Sequence, residues 1–303
     1  MSSEVKSDYK KFLEPGVISR LQNMELRARM VVEGFITGLH RSPYHGFSVE
    51  FAEHRAYMPG DEIRRIDWKI FGRTDRYYVK QYEEETNLKA YILLDASASM
   101  RYSSEGNISK FQYASYIAAA LAYLMVQQRD AAGLCVFDED IRAYMPPHST
   151  RSYLQQLLKM LEHVQPAHGT RVNTCLHRVA ERLKRRGLVI VISDLLDDPQ
   201  TVLDTFTHFR HDNHEMIVFH ILDPRERDFN FGADAMFTDI ETAEQMPTQP
   251  FHIRKAYKNA MDQFIERYKK GCREQMIDYV LLDTATPFDK ALFEYMGKRA
   301  RLD

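Results

Sequence analysis

Asp95, Ser97 and Ser99 stand at alternate positions in the run KAYILLDASASM, residues 89–100. One carboxylate and two hydroxyls, spaced two apart on a tight turn, can converge on a single point. Oxygen donors of that kind suit a hard divalent cation such as Mg2+ rather than zinc or copper. Gly169-Thr170 and Ser193-Asp194 offer another hydroxyl and another carboxylate further along. Asp95, Ser97, Ser99, Thr170 and Asp194 together would give an all-oxygen set for Mg2+ or Mn2+. With few anionic ligands, such an ion stays electrophilic and keeps a position open for an outside carboxylate. Taken alone, DASAS also reads as a helix-start turn with capping serines.

The elements needed to position these groups are legible nearby. Tyr91 to Leu94 is too short and too apolar for an exposed helix and suits a buried strand that ends at Asp95. Ligands of open α/β sheets bind at the carboxyl ends of the strands. From Lys89 onward strands and helices alternate, which predicts a doubly wound, mostly parallel sheet with helices on both faces. Strands are expected at 133–137, 141–145, 188–193, 216–222 and 277–282, with 133–145 forming a hairpin. Helices are expected at 111–126, 151–164, 172–184, 201–209, 253–272 and 289–299. Four of the expected strands end in aspartate: Asp95, Asp194, Asp223 and Asp283. Parallel strands would bring all four to one edge, although aspartate there also serves as a helix N-cap.

Upstream, Leu26, Met30, Val31, Phe35 and Ile36 recur at helical spacing within Asn23 to Gly38. Alternation at Phe47, Val49 and Phe51 and again near Tyr78 predicts short strands. Between them GDEIRRIDWKIFGRTDRYY is dense in both charge signs. Its Arg64, Asp67, Trp68 and Arg73 are candidates for a partner-binding surface, since arginine and tryptophan dominate interface hot spots. They equally suit an internal ion-pair network. The chain therefore divides into a small N-terminal helix-plus-strand subdomain, residues 1–87, packed on an α/β domain, residues 88–303. A hairpin excursion without a clear core of its own is expected near 228–250.

Bulk properties narrow the function. A formal net charge of −2 on 303 residues gives no global attraction to nucleic acid or acidic lipid. Cys135, Cys175 and Cys272 lie far apart and are odd in number, which fits a reducing compartment rather than a disulfide framework. The start of the chain has no apolar signal core, and no run approaches ~20 apolar residues, so a cytoplasmic protein without a membrane span is expected. GxSxG, GxxxxGK[ST], HExxH and GxGxxG patterns are absent.

DASASM, a following GT loop and an apolar strand ending in Ser-Asp resemble the metal-ion-dependent adhesion site (MIDAS) of von Willebrand factor A domains. The pattern DxSxS…T…D falls on Asp95, Ser97, Ser99, Thr170 and Asp194. More narrowly, GLHRSPYHGFSVEFAEHRAYMPGDEIRRIDWKIFGRTDRYYVKQYEEE, residues 38–85, running into DASASM, is similar to the bacterial domain-of-unknown-function 58 family. Gly72 departs from the alanine that family often has before its Arg-Thr pair, and the membrane helices that open many members are not seen here. The resemblance implies a von Willebrand factor A-like fold and a non-enzymatic, metal-dependent protein-binding role. Members often occur beside MoxR-type AAA+ ATPases, which implies an adaptor or co-chaperone in complex assembly, its partner supplying an Asp or Glu carboxylate.

Two other readings compete. A Mg2+-dependent phosphohydrolase of haloacid dehalogenase type would use Asp95 as nucleophile, Asp194, Asp197 and Asp198 around the metal, and Lys184 on the phosphate. That chemistry wants an acid two residues after the nucleophile, where Ser97 cannot serve near neutral pH. The other is a metal-free scaffold.

Overall fold

The computed structural model describes residues 13–41, 55–56, 72, 75, 77–79, 88–167, 169, 172–183, 186–231, 235–238 and 245–302. Its centre is a six-stranded sheet. Five of the six strands, in chain order, are β1 (Lys89–Asp95), β2 (Ala131–Phe137), β3 (Ile141–His148), β4 (Leu188–Ser193) and β5 (Glu215–Leu222). A separate hairpin of β6 (Ala235–Thr238) and β7 (Gln245–Thr248) follows, and β8 (Asp278–Asp283) is the sixth strand of the sheet. The spatial order is β8-β5-β4-β1-β2-β3, parallel throughout except for the antiparallel β2–β3 pair. The expected α/β class is thus what the chain adopts.

Alternation along the central strands explains why helices cover both faces. Ala90, Ile92 and Leu94 of β1 join one core, while Tyr91 and Leu93 join the other. The same division separates Leu188, Ile190 and Ile192 from Val189 and Val191 in β4. Side chains of a strand point alternately to opposite faces, so a strand buried on both sides is apolar throughout. After a single turn at Pro15–Ile18, the helices are α1 (Met24–Arg41), α2 (Lys110–Gln127), α3 (Arg151–His163), α4 (Val172–Arg182), α5 (Pro199–His211), α6 (Pro224–Asp228), α7 (Pro250–Glu274) and α8 (Asp289–Arg299). The first core takes α1, α2, α3 and α8; the second takes α4, α5 and α7. Helix α2 starts with a capping box, the Ser109 hydroxyl accepting from Gln112 N–H and the Gln112 side chain from Ser109 N–H. From there α2 runs beneath the sheet, so its first residue lies beside the strand ends.

The hairpin is tied to the rest of the domain by aromatic contacts. Phe229 stacks on Phe237 at 5.5 Å and on Tyr257 of α7 at 4.2 Å, and Phe231 meets Phe237 edge-on at 5.0 Å. Tyr257 lies outside the hairpin, on α7. At the opposite margin, β3 carries Pro146-Pro147, and its pairing with β2 slips there. Gly133 of β2 faces that slip: a Cβ on it would sit 2.8 Å from Met145 O and 2.9 Å from Pro147 N. Short strands occur at Arg55–Ala56 and Tyr78–Val79, paired antiparallel. The alternation at Phe47, Val49 and Phe51 falls outside the described residues. Among the described residues no helix is long and apolar enough to cross a membrane.

Candidate metal centre

Asp283, Asp223, Asp194 and Asp95 stand at the ends of four adjacent parallel strands. The outer two serve the fold. Asp223 caps α6 in a capping box with Glu226 and accepts from Ser104 N–H at 2.9 Å and the Ser104 hydroxyl at 3.0 Å. Asp283 accepts from Ala285 N–H and the Thr286 hydroxyl, both at 3.0 Å. The inner two, Asp95 and Asp194, are fully buried and face the turn that follows β1.

That turn is built locally. Asp95 Oδ1 accepts from Ser97 N–H at 2.9 Å, closing a small loop in which Ser97 is extended before a short 3-10 helix over Ala98–Arg101. The geometry turns both hydroxyls to one side, where Ser97 Oγ and Ser99 Oγ are 3.0 Å apart. Ser99 also lies near enough to Asp194 to favour its carboxylate. Asp95 Oδ2 accepts from the Ser193 hydroxyl at 2.5 Å, which in turn accepts from Leu195 N–H at 2.9 Å. Leu195 is buried with φ +52°, a left-handed backbone that costs an ordinary residue about 1–2 kcal/mol. The Tyr268 hydroxyl holds it there by donating to Leu195 O at 3.0 Å. The strained turn ends β4 just past Asp194, and Asp194 Oδ1 accepts from Leu196 N–H at 3.3 Å.

Asp95, Ser97, Ser99 and Asp194 are therefore brought together as the spacing predicts. Thr170 lies outside the described residues. The segment leading to it is tied to the same turn, with Ala167 N–H donating to Ala96 O at 2.9 Å and Arg101 Nε donating to Pro166 O at 2.8 Å. Arg64, Asp67, Trp68 and Arg73 also lie outside the described residues.

The electrostatics contain two groups that the sequence reading did not place. Lys110, the first residue of α2, is fully buried with Nζ 2.8 Å from Asp194 Oδ2 and 2.7 Å from Glu226 Oε1. Burial disfavours its ammonium, but Asp194 and Glu226 outweigh this and raise its pKa. Burial also disfavours the Asp194 carboxylate, yet Lys110 overcomes that and holds its pKa below the ordinary value. Asp95 goes the other way: burial first, and repulsion from Asp194 second, lift its carboxyl well above the usual range. Behind the pair, burial depresses the His220 imidazole to about 4 against the pull of Asp194, so the ring is neutral. The Tyr279 hydroxyl lies 2.6 Å from its Nδ1. One sign of Lys110's role was present in the sequence. It is the single charge in an 18-residue apolar helix, placed at the end where the macrodipole disfavours cations.

Chemically, this is an oxygen-only cluster in which, among the described residues, a buried carboxylate, Asp95, is hydrogen-bonded only by neutral donors and repelled by its neighbour. Such a set fits a hard divalent cation, whose charge would relieve the repulsion. Asp198 caps α5 by accepting from Thr201 N–H at 3.0 Å, Asp197 receives Asn173 N–H at 3.4 Å, and Lys184 lies outside the described residues.

Residues 53–266 match the family described as "Protein of unknown function DUF58". The chain belongs to the DUF58 family. The DUF58 match spans Asp95, Lys110, Asp194 and Glu226 and ends within α7. Uncharacterized protein Rv1480 of Mycobacterium tuberculosis is 26% identical over 232 residues, covering 76% of this chain and 72% of that one. Among solved structures, the conserved hypothetical protein BatB from Bacteroides thetaiotaomicron is 16% identical, with 71% of this chain and 99% of that one covered and a TM-score of 0.47. The SpRpn10 VWA domain is 10% identical, with 68% and 93% covered and a TM-score of 0.37. These structural likenesses are too loose to bring anything of those proteins to this DUF58 chain.

Proposed function

We propose that this DUF58 protein is a non-enzymatic, metal-dependent protein-binding module with a MIDAS-type site. Asp95, Ser97, Ser99 and Asp194 hold Mg2+ or Mn2+, with Thr170 completing the set directly or through water. The bound ion supplies an electrophilic coordination position that an aspartate or glutamate of a partner protein fills. The protein side of the site does the rest. Ser193 and the Ser97 amide orient Asp95, the strained Leu195 turn orients Asp194, and half-buried Ser99 marks the side open to a partner.

The observation that carries this reading is the meeting of Asp95 and Asp194 in one buried, hydroxyl-lined spot where, among the described residues, Asp95 has no basic hydrogen-bond partner. The resemblance of the upstream sequence to chains found beside MoxR-type AAA+ ATPases supports such an ATPase as the partner and an adaptor or co-chaperone role in the cytoplasm. Three buried free thiols suit that compartment. Isothermal titration of Mg2+ and Mn2+ into EDTA-stripped protein tests the ion site, with Asp95→Ala beside wild type. Saturable uptake lost in the variant is expected. Repeating the titration with the ATPase present tests the partner, and a folded Asp95→Ala protein that binds it with EDTA-insensitive affinity overturns the mechanism.

A further inference from the structure

We infer that Lys110 is a built-in counter-cation that sets how tightly the centre holds its ion and how strongly that ion needs an outside carboxylate. The inference rests on the metal-dependent reading above and concerns the charge of that site. Asp194 is one of the two carboxylates facing the turn, and its Oδ2 is already 2.8 Å from a fully buried ammonium. The ammonium cannot swing away cheaply, because Glu226 holds its other side at 2.7 Å. Glu226 is itself fixed, its Oε2 accepting from Asp223 N–H at 2.9 Å in the α6 capping box. The Tyr102 ring, 5.9 Å from Nζ, adds a weak attraction.

The consequence lies in how charge is shared. Lys110 divides its charge between Asp194 and Glu226, so Asp194 is offset in part, while Asp95 has no basic partner among the described residues. A divalent ion facing Asp95 and a partly offset Asp194 keeps more of its positive charge than two free carboxylates would leave it, and a carboxylate from a partner meets that charge. Without Lys110, two carboxylates would hold the ion alone and the demand for an acidic partner would fall. Lys110 thus weakens the resident ion and, in exchange, makes the site selective for an acidic ligand. It is a positioning and charge-setting residue that does not itself touch the ion.

Mn2+ titration of the EDTA-stripped full chain tests this with two variants of opposite sign. Lys110→Met removes the competing charge and is expected to bind Mn2+ about tenfold tighter or more, given the strength of charge interactions in a buried site. Glu226→Gln leaves the whole ammonium to Asp194 while its amide oxygen can still accept from Asp223 N–H. It is expected to bind several-fold more weakly. Lys110→Met leaves two buried carboxylates unmatched, so its folding is checked by circular dichroism; should it fail to fold, Glu226→Gln decides. Unchanged or weaker binding by folded Lys110→Met, or unchanged or tighter binding by Glu226→Gln, overturns the role of Lys110 alone. Absence of saturable uptake by wild type overturns the metal-dependent reading and this inference with it.

Discussion

Asp95→Asn is expected to stabilise the protein in the absence of ions, because the wild-type carboxylate is an unfavourable charge kept in place for what it binds. The residue is fully buried, and burial together with Asp194 lifts its carboxyl to about 7 from an ordinary 3.8. Ionising it in the folded state is therefore harder by roughly 4 kcal/mol, to order of magnitude. Asparagine keeps the acceptor for Ser97 N–H. It reverses the contact with Ser193, whose hydroxyl must accept where it donated, and this gives back part of the gain. A net stabilisation of about 2 kcal/mol at pH 8 is expected. Urea unfolding in EDTA measures it. The pH dependence has a definite sign: a carboxyl whose folded pKa is raised takes up its proton sooner when folded. Wild type thus regains stability as pH falls from about 7 towards 4, and the gap narrows by pH 5. Saturating Mg2+ stabilises wild type alone and reverses the order. A gap that is absent or inverted at pH 8 without ions, or as wide at pH 5, refutes the account of Asp95 as a repelled buried charge.

Two further outcomes follow from other parts of the molecule. His220 is depressed from 6.5 to about 4 by burial, so the unfolded chain takes the proton first. Roughly 3 kcal/mol of stability is present above pH 6.5 and lost on the way down to about 4. His220→Gln removes that part of the slope in pH-dependent urea unfolding, and an unchanged slope counts against it. Gly133→Ala places a methyl against the backbone of Met145 and Pro147 and is expected to cost about 1–3 kcal/mol. Equal thermal unfolding midpoints for variant and wild type would show that β3 yields freely there.

The parts of the molecule that were legible in the sequence are those encoded over a few neighbouring residues. Apolar runs closed by aspartate marked β1, β4, β5 and β8, and their parallel order put Asp95 and Asp194 side by side as spacing suggested. The Asp-x-Ser-x-Ser turn is local, so its geometry followed from its residues. The lone charge of Lys110 in its helix was visible, but its partners Asp194 and Glu226 were not legible, because those contacts cross 84 and 116 residues of chain and no local pattern specifies such a pairing. The contact between Phe229 and Tyr257 of α7 escaped for the same reason.

The proline pair of β3 bears on how copies of this chain meet one another. An outermost strand with free amide groups invites a strand from a second molecule, and that is a common route to aggregation. Pro146 and Pro147 have no N–H to offer, and the slip beside Gly133 bends the rim at the same place. That margin of the sheet is consequently a poor template for extension.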